Sequence, residues 1–293
     1  MPFPQLVVLT RYPDFAEEIL LAHGAQSVTQ VDAADDPVLE PAPGEAPLWP
    51  RTRTTGLFGE TADLAPAIAA LRSTLPDGKE AIVTTAELEE QEWIRIWLRD
   101  WQPLRFGAQL WVSPRAKLAE ITDPAAVVVA LDPGLAFGTG THPSTALCLE
   151  WLAAAGLAGK RVLDYGCGSG VLAIAALKLG AAAATAVDID PQALIATREN
   201  AQVNGVDERL EVVLAADYRE RPHDVVLANI LAGPLAQLAP RLSASTAPGG
   251  SLVMAGLLPS HAPDVQRAYA QAFDWQPLAE REGWVRVEGR RGA

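Results

Sequence analysis

Up to about residue 85 the apolar positions of the chain switch between two periods. Alternation at every second residue marks strands in QLVVLT (5–10), SVTQVDA (27–33), TTGLFGE (54–60) and KEAIVTT (79–85). DFAEEILLAHG (14–24) and DLAPAIAALRSTL (63–75) instead repeat their apolar residues at helical spacing. The β-α-β-β-α-β succession predicts two helices on one face of an antiparallel sheet, a ferredoxin-like α+β sandwich. Between its second and third strands, DPVLEPAPGEAPLWP (36–50) is rich in proline and reads as an irregular connection. TTAELEEQEWIRIWLRDW (84–101) then brings Trp93, Trp97 and Trp101 to helical spacing behind a capping-box pair, Thr84 and Glu87. This predicts a helix joining two domains, its tryptophan stripe either packing a core or forming a hinge. The expected division is a small domain over 1–85, a linker helix over 86–101 and a large domain over 102–293.

Beyond residue 125 the pattern becomes strand, turn, helix, repeated: AVVVALD (126–132), RVLDYG (161–166), ATAVDID (184–190), LEVVLAA (210–216), DVVLANI (224–230) and SLVMAGL (251–257). Near-continuous apolar strands alternating with helices predict an α/β domain: a mostly parallel sheet with helices on both faces. WQPLAEREGWVRVEGRR (275–291) has two strand-like runs around Glu282-Gly283 and reads as a terminal antiparallel hairpin. A terminal antiparallel hairpin on an otherwise parallel sheet is not part of the ordinary dinucleotide-binding arrangement.

Composition narrows the class. At 293 residues, 49% apolar and 20% charged, the chain is long enough for two domains and has the balance of a folded, soluble protein. No apolar run reaches the roughly 18 residues that a bilayer span needs, so no membrane partner is expected. The N-terminus lacks the marks of an export signal, and cytoplasmic residence is expected. Cys148 and Cys167, with His23, His142, His223 and His261 scattered, suggest neither a disulfide framework nor a metal centre. A net charge of −13 argues against direct nucleic-acid contact and favours a basic partner; it serves equally as a solubility device.

The chemistry concentrates in four segments. RVLDYGCGSG (161–170) is a strand running into Gly166, Gly168 and Gly170, then the helical VLAIAALKLG. Val171 stands where a dinucleotide fingerprint wants glycine, and no Lys-Ser/Thr pair makes it a phosphate loop. Glycines at such a turn admit a ligand close to the backbone, and the following helix N-terminus favours a carboxylate such as that of a methionine moiety. Asp164 is placed to accept from the ligand's amino group. In AVDIDP (186–191), Asp188 ends the second strand where a carboxylate binds ribose hydroxyls, while Asp190 before Pro191 reads as a helix cap; both could instead be caps. Asn229 in ANIL (228–231) closes the fourth strand beside the switch point of the sheet. Amino-group methyltransferases have [DN]-P-P-[YF] there, and Phe137 is the candidate replacement for the missing aromatic. LDPGLAFGTGTHPST (131–145) interleaves glycines, Gly138 among them, with Phe137, Thr139, Thr141 and His142, suggesting a loop over a ligand. Thr145 reads as a helix cap or a cofactor contact, and His142 as a hydrogen-bonding loop residue rather than a general base.

LDPGLAFGTGTHPSTALCLEWL, VLDYGCGSGVLAIAALKLGA, VDIDPQALIATRENAQVNGV and ANILAGPLAQLAP together resemble the PrmA-type methyltransferases, which modify the eleventh protein of the large ribosomal subunit. The resemblance covers essentially the whole chain, with GLFGE and RDWQPLRFGAQLWVSP as its clearest echoes near the N-terminus. It implies a class I (Rossmann-like) methyltransferase domain, α/β with a seven-stranded, mostly parallel sheet ending in the antiparallel hairpin typical of such enzymes, behind a ferredoxin-like substrate-recognition domain. It also implies transfer from S-adenosyl-L-methionine to an N-terminal α-amine and lysine ε-amines, giving trimethylated products. Carried over by motif position, it implies cofactor contacts at Thr145, Gly166, Asp188 and Asn229, to which the residues themselves add Gly168, Asp164 and Gly138. The partner so implied is a basic ribosomal protein, free of the ribosome.

Methyl transfer to an amine needs the neutral nitrogen, which favours catalysis by proximity and orientation around Asn229, with Phe137 beside it, and no covalent enzyme intermediate. The alternatives are an N-methyltransferase for a nucleobase or small-molecule amine, and a non-catalytic ribosome-assembly adaptor.

Overall fold

The computed structural model of the chain describes residues 3–33, 52–59, 62–88, 101–131, 140–270 and 272–292. It divides into two compact units, Met1–Arg95 and Ile96–Ala293.

The first unit runs β1 (Phe3–Thr10), α1 (Pro13–Ala22), β2 (Ser27–Asp32), β3 (Thr52–Leu57), α2 (Ala65–Thr74) and β4 (Ile82–Leu88). Its sheet has the order β2-β3-β1-β4, every pair antiparallel, as in a ferredoxin-like sandwich. Period-two burial puts Leu6 and Val8 of β1 against Ala16 and Leu20 of α1 and Ala67 and Leu71 of α2, with Phe58 and Leu75 closing the core. Helix α1 ends in a Schellman turn, where Gly24 at φ +93° lets the Ala25 N–H reach the Leu20 carbonyl at 3.0 Å.

The linker reading needs correction at its start. Thr84–Leu88 is strand, with Val7 opposite Thr84 and Phe3 opposite Leu88, so the Thr84/Glu87 capping box does not form. The β-branched run Ile82-Val83-Thr84-Thr85 has β1 as a template, and that pairing outweighs local helical spacing. The rest of the expected helix, with Trp93 and Trp97, lies outside the described residues; Trp101 is buried in the core of the second unit.

In the second unit, β8 (Arg161–Tyr165), β9 (Ala183–Asp188), β10 (Leu210–Leu214), β11 (His223–Asn229) and β12 (Thr246–Leu257) form a parallel sheet. β15 (Trp284–Arg291) joins it antiparallel to β12, and β13 (Phe273–Trp275) and β14 (Ala279–Arg281) both pair with the outer edge of β15. The order is β10-β9-β8-β11-β12-β15-β13, with β14 beside β15: eight strands among the described residues against the seven expected, because two short strands, β13 and β14, share the outer edge of β15. The expected hairpin is β14–β15, turned by Glu282 (φ +51°) and Gly283 (φ +78°). Successive strand residues point to opposite cores. Val162, Ala186 and Leu227 pack under α3 (Pro143–Ala154), α4 (Val171–Lys178) and α5 (Pro191–Val203); Leu163, Val187 and Val226 pack under α6 (Ala232–Gln237), α7 (Ala239–Ser245) and α8 (Ala262–Ala268).

A second correction concerns AVVVALD. β7 (Val127–Ala130) is not in the large sheet but pairs parallel with β6 (Leu110–Ser113), itself antiparallel to β5 (Leu104–Phe106). An apolar run reports burial and not which strand lies beside it, and here β6, formed shortly before, is the neighbour.

Candidate active site

β8 and β11 lie side by side while the chain from β8 returns on the other flank to β9, so the switch point opens between β8 and β11 at their C-terminal ends. There the chain leaves β8 through Gly166, Gly168 and Gly170, at φ +82°, +53° and +78°, a run of left-handed residues that L side chains resist. The N–H groups of Gly166 and Cys167 bond the Val187 carbonyl of β9 at 2.7 and 3.1 Å, tying the turn to the neighbouring strand tip. A Cβ on Gly166 would lie 2.2 Å from Ile230 Cγ2, so this close approach of two strand ends requires glycine.

Asp188, at the tip of β9, accepts from the Gly168 N–H at 2.9 Å through one oxygen and from the Asp190 N–H at 3.0 Å through the other. Asp190 caps α5 by accepting from the Gln192 N–H at 2.9 Å, with Pro191 at the first helical position. Asp190 is thus the expected helix cap, while Asp188 faces the glycine turn.

Asn229, at the tip of β11, donates through Nδ2 to Thr145 Oγ1 of α3 at 3.0 Å across 84 residues of sequence. Thr145, Gly166, Gly168, Asp188 and Asn229 all line one cavity of about 470 Å³. Phe137 and Gly138 lie outside the described residues. Asp164 is fully buried and is not a lining residue: one oxygen accepts from the Ala173 N–H in the first turn of α4 at 3.1 Å, and the other has no partner among the described residues. His142 caps α3, its Nδ1 3.3 Å from the Ser144 N–H, with its ring edge-on to Trp284. Burial holds its pKa below the usual histidine value, against the opposing pull of Glu282, as suits a neutral capping residue.

Burial pushes the Asp164 carboxyl up to about 7; the Ala173 N–H opposes the shift and the Asp188 charge adds to it. Between the unfolded value and about 7 the folded chain holds a proton that the unfolded chain has released, so this group makes stability fall as pH rises through that window. Asp164→Asn, neutral throughout, is therefore expected to gain stability relative to the parent chain between pH 5 and pH 8. Urea unfolding at the two pH values checks this, and a difference independent of pH would remove Asp164 from the account. Both thiols stay protonated near neutrality: burial lifts Cys148 to about 12 and, with the Asp164 charge, raises Cys167, which lines the cavity. Neither is a ready nucleophile.

Two groups escaped sequence reasoning. Ile189 and Leu231 line the cavity while largely exposed, at 81% and 55%, and with Pro234 and Leu238 they give it an apolar wall. Ile189 adjoins Asp188 and Leu231 lies two residues beyond Asn229, so apolar residues just past strand tips are the signal in the sequence that points to them. Thr197 and Asn200 of α5 hydrogen-bond the glycine turn from behind, and their signal is polar residues at helical spacing on a packed helix.

Comparison with known proteins gives a consistent picture. The family profile described as "Ribosomal protein L11 methyltransferase (PrmA)" matches residues 6–292. The chain is 50% identical to the ribosomal protein L11 methyltransferase of Pseudomonas aeruginosa over 296 residues, covering 100% of each chain. It is 47% identical to that of Aeromonas salmonicida, covering 99% of each. Among solved structures, the ribosomal protein L11 methylase of Lactobacillus delbrueckii subsp. bulgaricus is 30% identical with a TM-score of 0.60, covering 66% of this chain and 100% of that one.

Proposed function

We infer the activity from the premise that the chain belongs to the ribosomal protein L11 methyltransferase (PrmA) family: it is an S-adenosylmethionine-dependent methyltransferase acting on ribosomal protein L11. The finer reading is ours: the acceptors are the N-terminal α-amine and lysine ε-amines, carried to the trimethyl stage. We place the reaction in the cytoplasm, on L11 free of the ribosome, without direct contact to nucleic acid or membrane. Among the described residues no helix is long and apolar enough to cross a membrane. The unit Met1–Arg95 is proposed to recognise L11 and the unit from Ile96 onward to carry the chemistry.

One observation carries the reading of the site. The glycine turn, the Asp188 carboxylate and the Asn229–Thr145 pair converge on one cavity at the switch point. These residues fit the cofactor. The turn, where Gly166 has no room for a Cβ, brings its backbone to the cavity wall, α4 points its N-terminus there, and we read the Asp188 carboxylate as the acceptor for two ribose hydroxyls. When bound, S-adenosylmethionine supplies an electrophilic methyl group on a sulfonium.

The chain's own task is to present a neutral amine. A free lysine, with pKa about 10.4, is deprotonated to below about 0.1% near pH 7. The apolar wall of Ile230, Leu231 and Pro234 desolvates the ammonium and so favours its loss of a proton. With Nδ2 of Asn229 held by Thr145, Oδ1 is left to accept an amine N–H and aim the lone pair.

Incubation with methyl-labelled S-adenosylmethionine, recombinant L11 and ribosomal RNA in parallel is expected to label L11. Mass spectrometry should then place the methyl groups on its α-amine and lysines. Label confined to RNA, or cofactor bound but transferred to neither, would overturn the assignment.

A further inference from the structure

The glycine turn has a rear side. Gly168 directs its N–H to Asp188 at the cavity, while its carbonyl, and that of Ser169, face α5 and need donors there. Thr197, fully buried, donates from Oγ1 to the Gly168 carbonyl at 3.0 Å. Asn200 donates from Nδ2 to the Ser169 carbonyl at 2.9 Å. A Cβ on Gly170 would lie 2.8 Å from Thr197 Cγ2, so the same threonine also fits the turn by shape. Neither Thr197 nor Asn200 lines the cavity. Farther along the same helical face, Asn204 brackets Ala130 of β7, donating to its carbonyl at 2.7 Å and accepting from its N–H at 2.8 Å.

We propose that Thr197 and Asn200 are positioning residues for cofactor binding: from α5 they hold the Gly168 and Ser169 carbonyls, and so keep the turn, whose Gly166, Cys167 and Gly168 line the cavity, in the shape that receives the ligand. This rests on reading the turn as the S-adenosylmethionine site. A threonine in a helix ordinarily bonds a carbonyl one turn back within its own helix; here the hydroxyl is spent across the gap, on the turn. Without these donors the two carbonyls either stay unpaired or rotate toward water, and rotation of a peptide plane moves the next N–H with it. The orientation of the turn is thereby set before any ligand arrives.

The test compares Thr197→Val, which keeps the shape and removes the donor, with Thr197→Ser, which keeps the hydroxyl. Asn200→Ala removes the second donor, and Asn204→Ala is the control on the same helical face. Calorimetry with S-adenosylmethionine, thermal unfolding, and kcat at saturating cofactor are read for each. Thr197→Val and Asn200→Ala are expected to raise the cofactor Kd about tenfold, as one lost buried hydrogen bond implies, with kcat at saturation within about twofold of the parent. Thr197→Ser is expected to restore the affinity, and Asn204→Ala to lower Tm with Kd unchanged. Asn200, half-buried, decides the matter should Thr197→Val fail to fold. Lower Tm with unaltered Kd in the Thr197 and Asn200 variants would overturn the proposal, as would an equal loss of affinity in Asn204→Ala. A parent chain that does not bind S-adenosylmethionine overturns both this and the reading of the site.

Discussion

Asn229→Ala is expected to lower kcat on L11 by about 10²- to 10³-fold, the scale found when one preorganised polar group is removed from a reacting centre. The argument starts from the register of the sheet. β11 ends on Asn229 beside the glycine turn, and Thr145 of α3 occupies the side-chain amide nitrogen. With the nitrogen so engaged, the amide oxygen is the group left to accept from an incoming amine. Removal of the side chain leaves the cavity and turn in place, so cofactor affinity should fall much less than turnover and Tm should change little. Asn229→Asp separates orientation from charge. It keeps an oxygen acceptor, but its negative charge favours the protonated amine and should shift the activity profile to higher pH. Steady-state kinetics with L11 over a pH range, together with calorimetry, measures both variants. Activity of Asn229→Ala within twofold of the parent would remove Asn229 from the chemistry.

The parts of this site that are legible in the sequence have their geometry set by backbone demands. A strand, a left-handed turn and a helix require glycines at fixed offsets, as at 166, 168 and 170, and a carboxylate at the next strand tip follows from the same βαβ unit. Asn229 is legible because it ends another strand of the same sheet. The Asn229–Thr145 contact is not, since it depends on how α3 packs over the sheet, and no local pattern encodes a pairing so distant in sequence. Thr197 and Asn200 are hidden for a related reason: polar residues on a helix read as solvated until the helix is packed against a turn.

The two fold corrections have one physical origin. Thr84–Leu88 carries a capping-box pattern and the AVVVALD run carries a buried-strand pattern, yet neighbouring strands β1 and β6 decide what each becomes. Local periodicity reports which side of an element is buried; pairing is settled by what else is near. The hairpin at Glu282-Gly283 shows the converse, because a two-residue turn with both φ values positive restricts which strands can follow and precede it.

Asp188→Ala is expected to weaken S-adenosylmethionine binding by more than about 100-fold, since two hydrogen bonds to an ionised acceptor are each worth about 1.5–3 kcal/mol. The carboxylate has two tasks. It accepts from the Gly168 and Asp190 N–H groups and so ties the turn to the tip of β9, and in the proposed reading of the site it also accepts from the ribose hydroxyls of the cofactor. Asp188→Asn distinguishes them. It retains one acceptor oxygen for Gly168 while placing an NH₂ against the second hydrogen-bonding position, so its affinity should fall between parent and alanine variants. Because Asp188 is at the cavity and outside both hydrophobic cores, neither substitution should alter thermal unfolding as strongly as it alters binding. Calorimetry against S-adenosylmethionine, with far-UV circular dichroism as the check on folding, decides the matter. A folded Asp188→Ala chain that binds the cofactor as tightly as the parent would mean that the carboxylate serves only the turn, and the ribose contact would have to come from elsewhere on the cavity wall.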